Sequence, residues 1–113
     1  MKLVSCIAGE VHSVIVDLRK DSSTFLQWHS ERLSLDNCRA LLVPEGCAHG
    51  FQAVRAPAVV VYCHSMHFNP AAEGGLHPQD PGLAIEWPLP ISRMSERDAS
   101  YAYLDSDFRG VEL

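Results

Sequence analysis

The sequence predicts an all-β domain, a sandwich or barrel, with one short helix near its C-terminus. Three observations predict it. Short apolar runs rich in Val, Leu and Ile recur at near-regular spacing up to residue 65, each bounded by a turn signal. No stretch before residue 66 shows a helical period. After Phe68 the texture changes to a segment broken repeatedly by Gly and Pro, which cannot continue either kind of element. A length of 113 residues fits a single domain, 1–113, with one core.

The strands follow from the runs and their stops. Residues 2–8, "KLVSCIA", read as a strand ending at Gly9, and 11–19, "VHSVIVDLR", as the next. A polar loop at 20–23 leads into a third strand at 24–34, and a turn at 35–38 into a fourth at 39–43, stopped by Pro44. Residues 49–54 and 58–65 complete the set, joined through "RAPA". Residues 69–90 read as a long irregular excursion, and 95–104 as a short helix with Ser95 as its N-cap. The tail from 105 reads as extended.

Composition excludes several classes of function. The net charge of −5 argues against a nucleic-acid surface, which needs a basic patch. It leaves room for an anionic small ligand, since a few local cations suffice to hold one. No apolar run reaches the ~18 residues of a transmembrane helix, and the N-terminus lacks a signal-peptide pattern, so no membrane is expected as partner. Cys6, Cys38, Cys47 and Cys63 form no Cys-x-x-Cys pair, so reduced thiols and a cytoplasmic location are expected, with a Cys38–Cys47 bridge as the alternative.

Strand alternation sorts the side chains that could carry chemistry. Val60, Tyr62 and His64 share one face of their strand, and His49 and Phe51 share a face of theirs. A barrel interior can therefore present His49 beside Tyr62. Tyr62 reads either as a functional phenol or as an interior tyrosine whose hydroxyl is tied to the backbone. The string Pro44-Glu45-Gly46-Cys47-Ala48-His49 is similar to the second signature of cupin barrels, where the histidine is often a metal ligand. A cupin metal site also needs His-x-His and a Glu on an earlier strand, and the sequence has no His-x-His. His64 and His67 fall on opposite faces of a continuing strand, and His12 and His29 are isolated. No metal and no cofactor are therefore expected.

Five segments in register carry a wider resemblance: "KLVSCIAGEVHSVIVDLRKDSSTFLQW", "LLVPEGCAHGFQAV", "VVYCHSMHFNP", "DPGLAIEWPL" and "SERD". From Lys2 to about Asp98 the chain resembles the dTDP-4-dehydrorhamnose 3,5-epimerase family. The resemblance implies a metal-free, cupin-like jelly roll, a homodimer, and a dTDP-linked 4-keto-6-deoxyhexose as substrate. It implies an isomerase that inverts C3 and/or C5 through an enolate. By position, Lys2 matches the enolate-stabilising lysine and Tyr62 the tyrosine that returns a proton. Asp98 matches the aspartate that pairs with a catalytic histidine, while Arg39 and His49 match positions lining the nucleotide-sugar pocket. An Arg fork suits a diphosphate because it can bind two oxygens.

The departures define a second expectation. In the family the base is the histidine of an Arg-Gly-Leu-His motif in an N-terminal segment, and this sequence starts one residue before Lys2. None of its six histidines is equivalent. Phe68 stands where a second tyrosine is common, and a tryptophan common before "DP" is replaced around His77. The alternative is therefore a truncated or degenerate cupin that binds a nucleotide sugar or a partner without turnover.

Overall fold

The computed structural model describes residues 1–65 and 74–111. Four strands and one helical turn make up its regular structure: β1 (Lys2–Asp17), β2 (Trp28–Ser34), β3 (Ala40–Val43), β4 (Cys47–His64) and α1 (Glu96–Ser100). The expected all-β fold is present. β1 is the centre of a single antiparallel sheet. On one side its first half pairs with β3 and its second half with β2, and on the other side β4 runs along its whole length.

Two pairs of expected strands are each one long strand. Residues 2–8 and 11–19 are continuous as β1, and 49–54 and 58–65 are continuous as β4. The join is a set of β-bulges, where the β1–β4 register shifts between Cys6 and Val11. Gly9 sits in the bulge at φ +68°, a conformation that glycine adopts without strain. A Cβ there would run into the carbonyl oxygens of Arg55 and Pro57. Gly9 therefore bends both strands without ending either.

The strand expected at 24–34 begins only at Trp28. The reason is Asp17, whose buried carboxylate accepts hydrogen bonds from Arg19 Nε at 2.9 Å, Arg19 Nη2 at 3.0 Å, Ser22 Oγ at 2.6 Å and the Thr24 hydroxyl. These donors wind residues 18–27 around one anion, and Leu26, at φ +64°, donates its N–H to the Asp17 carbonyl. The Arg19 contact, with help from both hydroxyls, holds the Asp17 carboxyl well below the usual carboxylate range.

The second half of β1, with its unbroken "VIV" run, is covered on both faces, while Leu3 and Ile7 in its first half are exposed. Val4, Cys6, Val11, Leu33 and Val43 form the core on one face. Val14 and Val16 form the other with Leu83, covered by Trp28, Leu76, Ile85, Trp87 and Leu104. The described part of the expected irregular segment, from residue 74 on, is thus the lid of the second core layer, and 69–73 lie outside the described residues. Buried Asp80 pins it down: Oδ1 accepts from Gly82 N at 2.8 Å and Oδ2 from Leu104 N at 2.7 Å. α1 is shorter than the expected 95–104, but its cap is as expected, with Ser95 Oγ accepting from Asp98 N at 3.0 Å. The tail turns at 106–107 before Val111 bridges Arg19, so it is not extended throughout.

Candidate functional site

One face of β4 carries a row of rings. The bulge at residues 55–59 changes the alternation, so His49 and Phe51 before it and Tyr62 and His64 after it all lie on the same face of the bent strand. His49 and Tyr62 meet edge to face with centroids 6.1 Å apart, and Tyr62 and His64 stack at 6.1 Å. The juxtaposition of His49 with Tyr62 inferred from alternation is therefore observed. Lys2 enters the same group from β1, its Nζ 5.3 Å from the centre of the Tyr62 ring.

The environment sets the protonation of both polar rings. Burial, and then the Lys2 charge, push the His49 imidazole down to about 4, so it is neutral at physiological pH. Its Nε2 lies 3.4 Å from Ser13 Oγ on β1. Burial pushes the Tyr62 phenol up, which keeps its proton in place and available for donation.

Beside this row lies a cavity of about 640 Å³. Lys2, His49 and Phe51 reach it from the sheet, and residues 89–101 form its opposite wall, bringing in Arg93, Arg97, Asp98 and Tyr101. Three of the five sequence-derived candidates, Lys2, His49 and Asp98, thus converge on one cavity. Tyr62 lies beside His49 and Lys2 and is not part of the lining. Arg39 lies elsewhere: it is exposed after the β2–β3 turn, its Nη1 3.1 Å from a Glu31 carboxylate oxygen. Sequence reasoning missed Arg93, Arg97, Tyr101 and Gln52. Arg97 could have been found from the Ser95 cap, which places it one residue before Asp98; Arg93 lies in an irregular segment where no period points.

The remaining candidates resolve more simply. His29 is exposed and its Nε2 lies 2.9 Å from Glu31. His12 packs edge-on to Trp87, and neither ring nitrogen has a hydrogen-bond partner among the described residues. The described residues hold no group of three or more His, Cys, Asp or Glu that could bind a metal ion, and none of the four cysteines is disulfide-bonded. No helix is long and apolar enough to cross a membrane among the described residues. His67 and Phe68 lie outside them.

The family model described as dTDP-4-dehydrorhamnose 3,5-epimerase matches residues 1–106. The chain belongs to the dTDP-4-dehydrorhamnose 3,5-epimerase family. It is 42% identical over 105 residues to the dTDP-4-dehydrorhamnose 3,5-epimerase of Salmonella typhimurium, covering 92% of this chain and 57% of that enzyme. Among solved structures it is similar, at TM-score 0.87 and 41% identity, to the Bacillus anthracis enzyme with TDP and PPi bound, covering 91% of this chain and 59% of that one. It is equally similar, at TM-score 0.87 and 40% identity, to the Legionella pneumophila dTDP-6-deoxy-D-glucose-3,5-epimerase in complex with dTDP-4-keto-L-rhamnose, covering 96% of this chain and 60% of that one. The chain thus spans little more than half the length of these family members, and its fold is the family's cupin jelly roll.

Proposed function

We propose that the chain supplies substrate-binding and proton-donating groups of a nucleotide-sugar epimerase acting on a dTDP-4-keto-6-deoxyhexose at C3 and/or C5. The observation that carries this reading is the charge of the cavity. The molecule as a whole has a net charge of −5, yet three cations, Lys2, Arg93 and Arg97, line the cavity against one carboxylate, Asp98. Such a site suits a dianionic ligand, and family members hold TDP, PPi and a dTDP-keto-sugar.

The chemistry follows from the substrate. A C4 ketone acidifies the C–H bonds at C3 and C5. Removing either proton gives an enolate, and inversion requires the proton to return on the opposite face. Lys2 is assigned to the enolate oxygen, where a cation lowers the energy of the developing charge. Tyr62, with its phenol held protonated, is assigned to proton return, and Asp98 to orienting the base. A His49 that protonates only near 4 is a poor base against such a C–H bond, so His49 is assigned to lining the pocket. Abstraction belongs to the histidine of the family's Arg-Gly-Leu-His motif, a string that does not occur in residues 1–113. A cytoplasmic setting is part of the same proposal, on the cysteine spacing, which forms no Cys-x-x-Cys pair. A homodimer is part of the same proposal.

One observation favours a second reading, a binding protein without turnover: Tyr62 is not part of the cavity lining. Solvent deuterium separates the two. Catalysis predicts incorporation at C3 or C5 of a dTDP-4-keto-6-deoxyhexose, slowed about 100-fold or more by Tyr62→Phe. Binding of dTDP with no exchange, even at high protein concentration, would establish the second reading.

A further inference from the structure

The wall of the cavity opposite the sheet is fixed at two points. Gln52, on β4, uses both ends of its amide on one residue: Nε2 donates to Leu89 O at 2.9 Å, and Oε1 accepts from Leu89 N at 3.1 Å. Pro88 and Pro90 flank that residue and restrict the backbone on both sides of it. A few residues on, Ser95 caps α1 through Asp98 N. The stretch between the two anchors is short, and it presents Arg93 to the cavity.

Arg93 differs from the arginines on and around the sheet. Arg19 meets Asp17, Arg32 meets Glu10, Arg39 meets Glu31 and Arg55 meets Asp36, all at 2.8–3.1 Å. Arg93 meets no carboxylate among the described residues. In a chain with 14 carboxylates and nine Lys and Arg, an arginine left unmatched on a cavity wall is available for an anion from outside. Arg39, in contrast, has Glu31 on its guanidinium and lies outside the cavity.

We infer that Arg93 is the residue that binds the diphosphate of the ligand, presented to it by Gln52 through the two-point contact with Leu89. The inference rests on the nucleotide-sugar reading and specifies it. Arg93 offers a planar fork for two phosphate oxygens, whereas Gln52 is a positioning residue that touches the backbone of the wall and not the ligand.

Calorimetric titration with dTDP, inorganic pyrophosphate and thymidine tests this. Arg93→Ala should weaken dTDP and pyrophosphate about 10- to 100-fold, the range for a lost charge-assisted hydrogen bond, and leave thymidine unchanged. Its melting temperature should match the parent chain, because an exposed arginine without a carboxylate partner contributes little to the fold. Arg93→Lys should recover part of the loss, as a point charge without the fork. Gln52→Leu should weaken dTDP while sparing thymidine. Equal dTDP affinity in the parent chain and Arg93→Ala would overturn the inference and leave the nucleotide reading standing. So would an equal loss of dTDP and thymidine, which would mark general damage to the wall. A parent chain that binds no dTDP would overturn the nucleotide reading and this inference together.

Discussion

His49 shows how a single position can change meaning as its neighbours are identified. From the string "PEGCAH" alone it resembles a cupin metal ligand, and only the missing His-x-His argues otherwise. In the fold it is a half-buried, neutral imidazole between Ser13, Tyr62 and the Lys2 charge. Its pKa of about 4 lies below the value of about 6.5 that the unfolded chain gives it. Between those two pH values the unfolded state binds more protons than the folded state. Stability therefore rises with pH across that window and is lost as pH falls through it. His49→Phe should flatten the pH dependence of the melting temperature between about 4 and 6.5, and the His49 ring should titrate near 4 by NMR. A ring that titrates near 6.5 would show that the pocket is wetter than the structure describes. That His49 shares a face with Phe51 and Tyr62 with His64 was legible from alternation, but what brings the two pairs onto one face is the bulge at 55–59, which alternation does not reveal. The position of Arg39 was not legible, because an ion pair with Glu31 depends on how β2 and β3 are placed.

The strands were legible at the level of elements, and their continuity was not. Turn signals at Gly9 and at "RAPA" look like strand ends in a linear reading, yet both fall within bulged strands that pair across the same bend. Gly9 is the test of that device. Replacing it by alanine forces an L-residue into φ +68° and drives a methyl against the Arg55 and Pro57 carbonyl oxygens. The backbone conformation alone costs about 1 kcal/mol, and the clash adds about 1–3 kcal/mol. Gly9→Ala should lower the unfolding free energy by about 2 kcal/mol or more in urea denaturation. A change within about 0.5 kcal/mol, the range of an ordinary surface substitution, would show that the bulge relaxes freely. The loop from Leu18 to Gln27 marks the other limit of linear reading. Its apolar "TFL" suggests a strand, but hydrogen bonds from the Ser22 and Thr24 hydroxyls to the Asp17 carboxylate fold it into turns, and such local side-chain bonding leaves no periodic trace.

Across the whole molecule, one face of the sheet is covered unevenly along its length. Residues 76–104 cover the face around Val14 and Val16. Further along the sheet, Leu3 on β1 lies opposite Leu42 on β3 and Cys63 on β4, with Val61 and Val59 alongside. Leu3, Leu42, Val59 and Val61 are each 40–55% exposed, an unusual run of large apolar side chains for a monomer surface. The outer edge of β4 has no paired strand among the described residues, and an open edge of this length adds a second drive to associate. The proposed homodimer therefore has a physical source in apolar area and unpaired backbone groups. Light scattering should give a particle larger than the 12.5 kDa chain. The double variant Leu42→Lys and Val61→Lys puts two charges on the apolar face, away from the cavity, and should shift the population toward monomer. Affinity for dTDP should persist in that variant if one chain holds the site, and fall with dimer content if a second copy completes it. A monodisperse monomer of the parent chain at high concentration would remove the dimer from the proposal and leave the exposed leucines and valines to be covered by something other than a second copy.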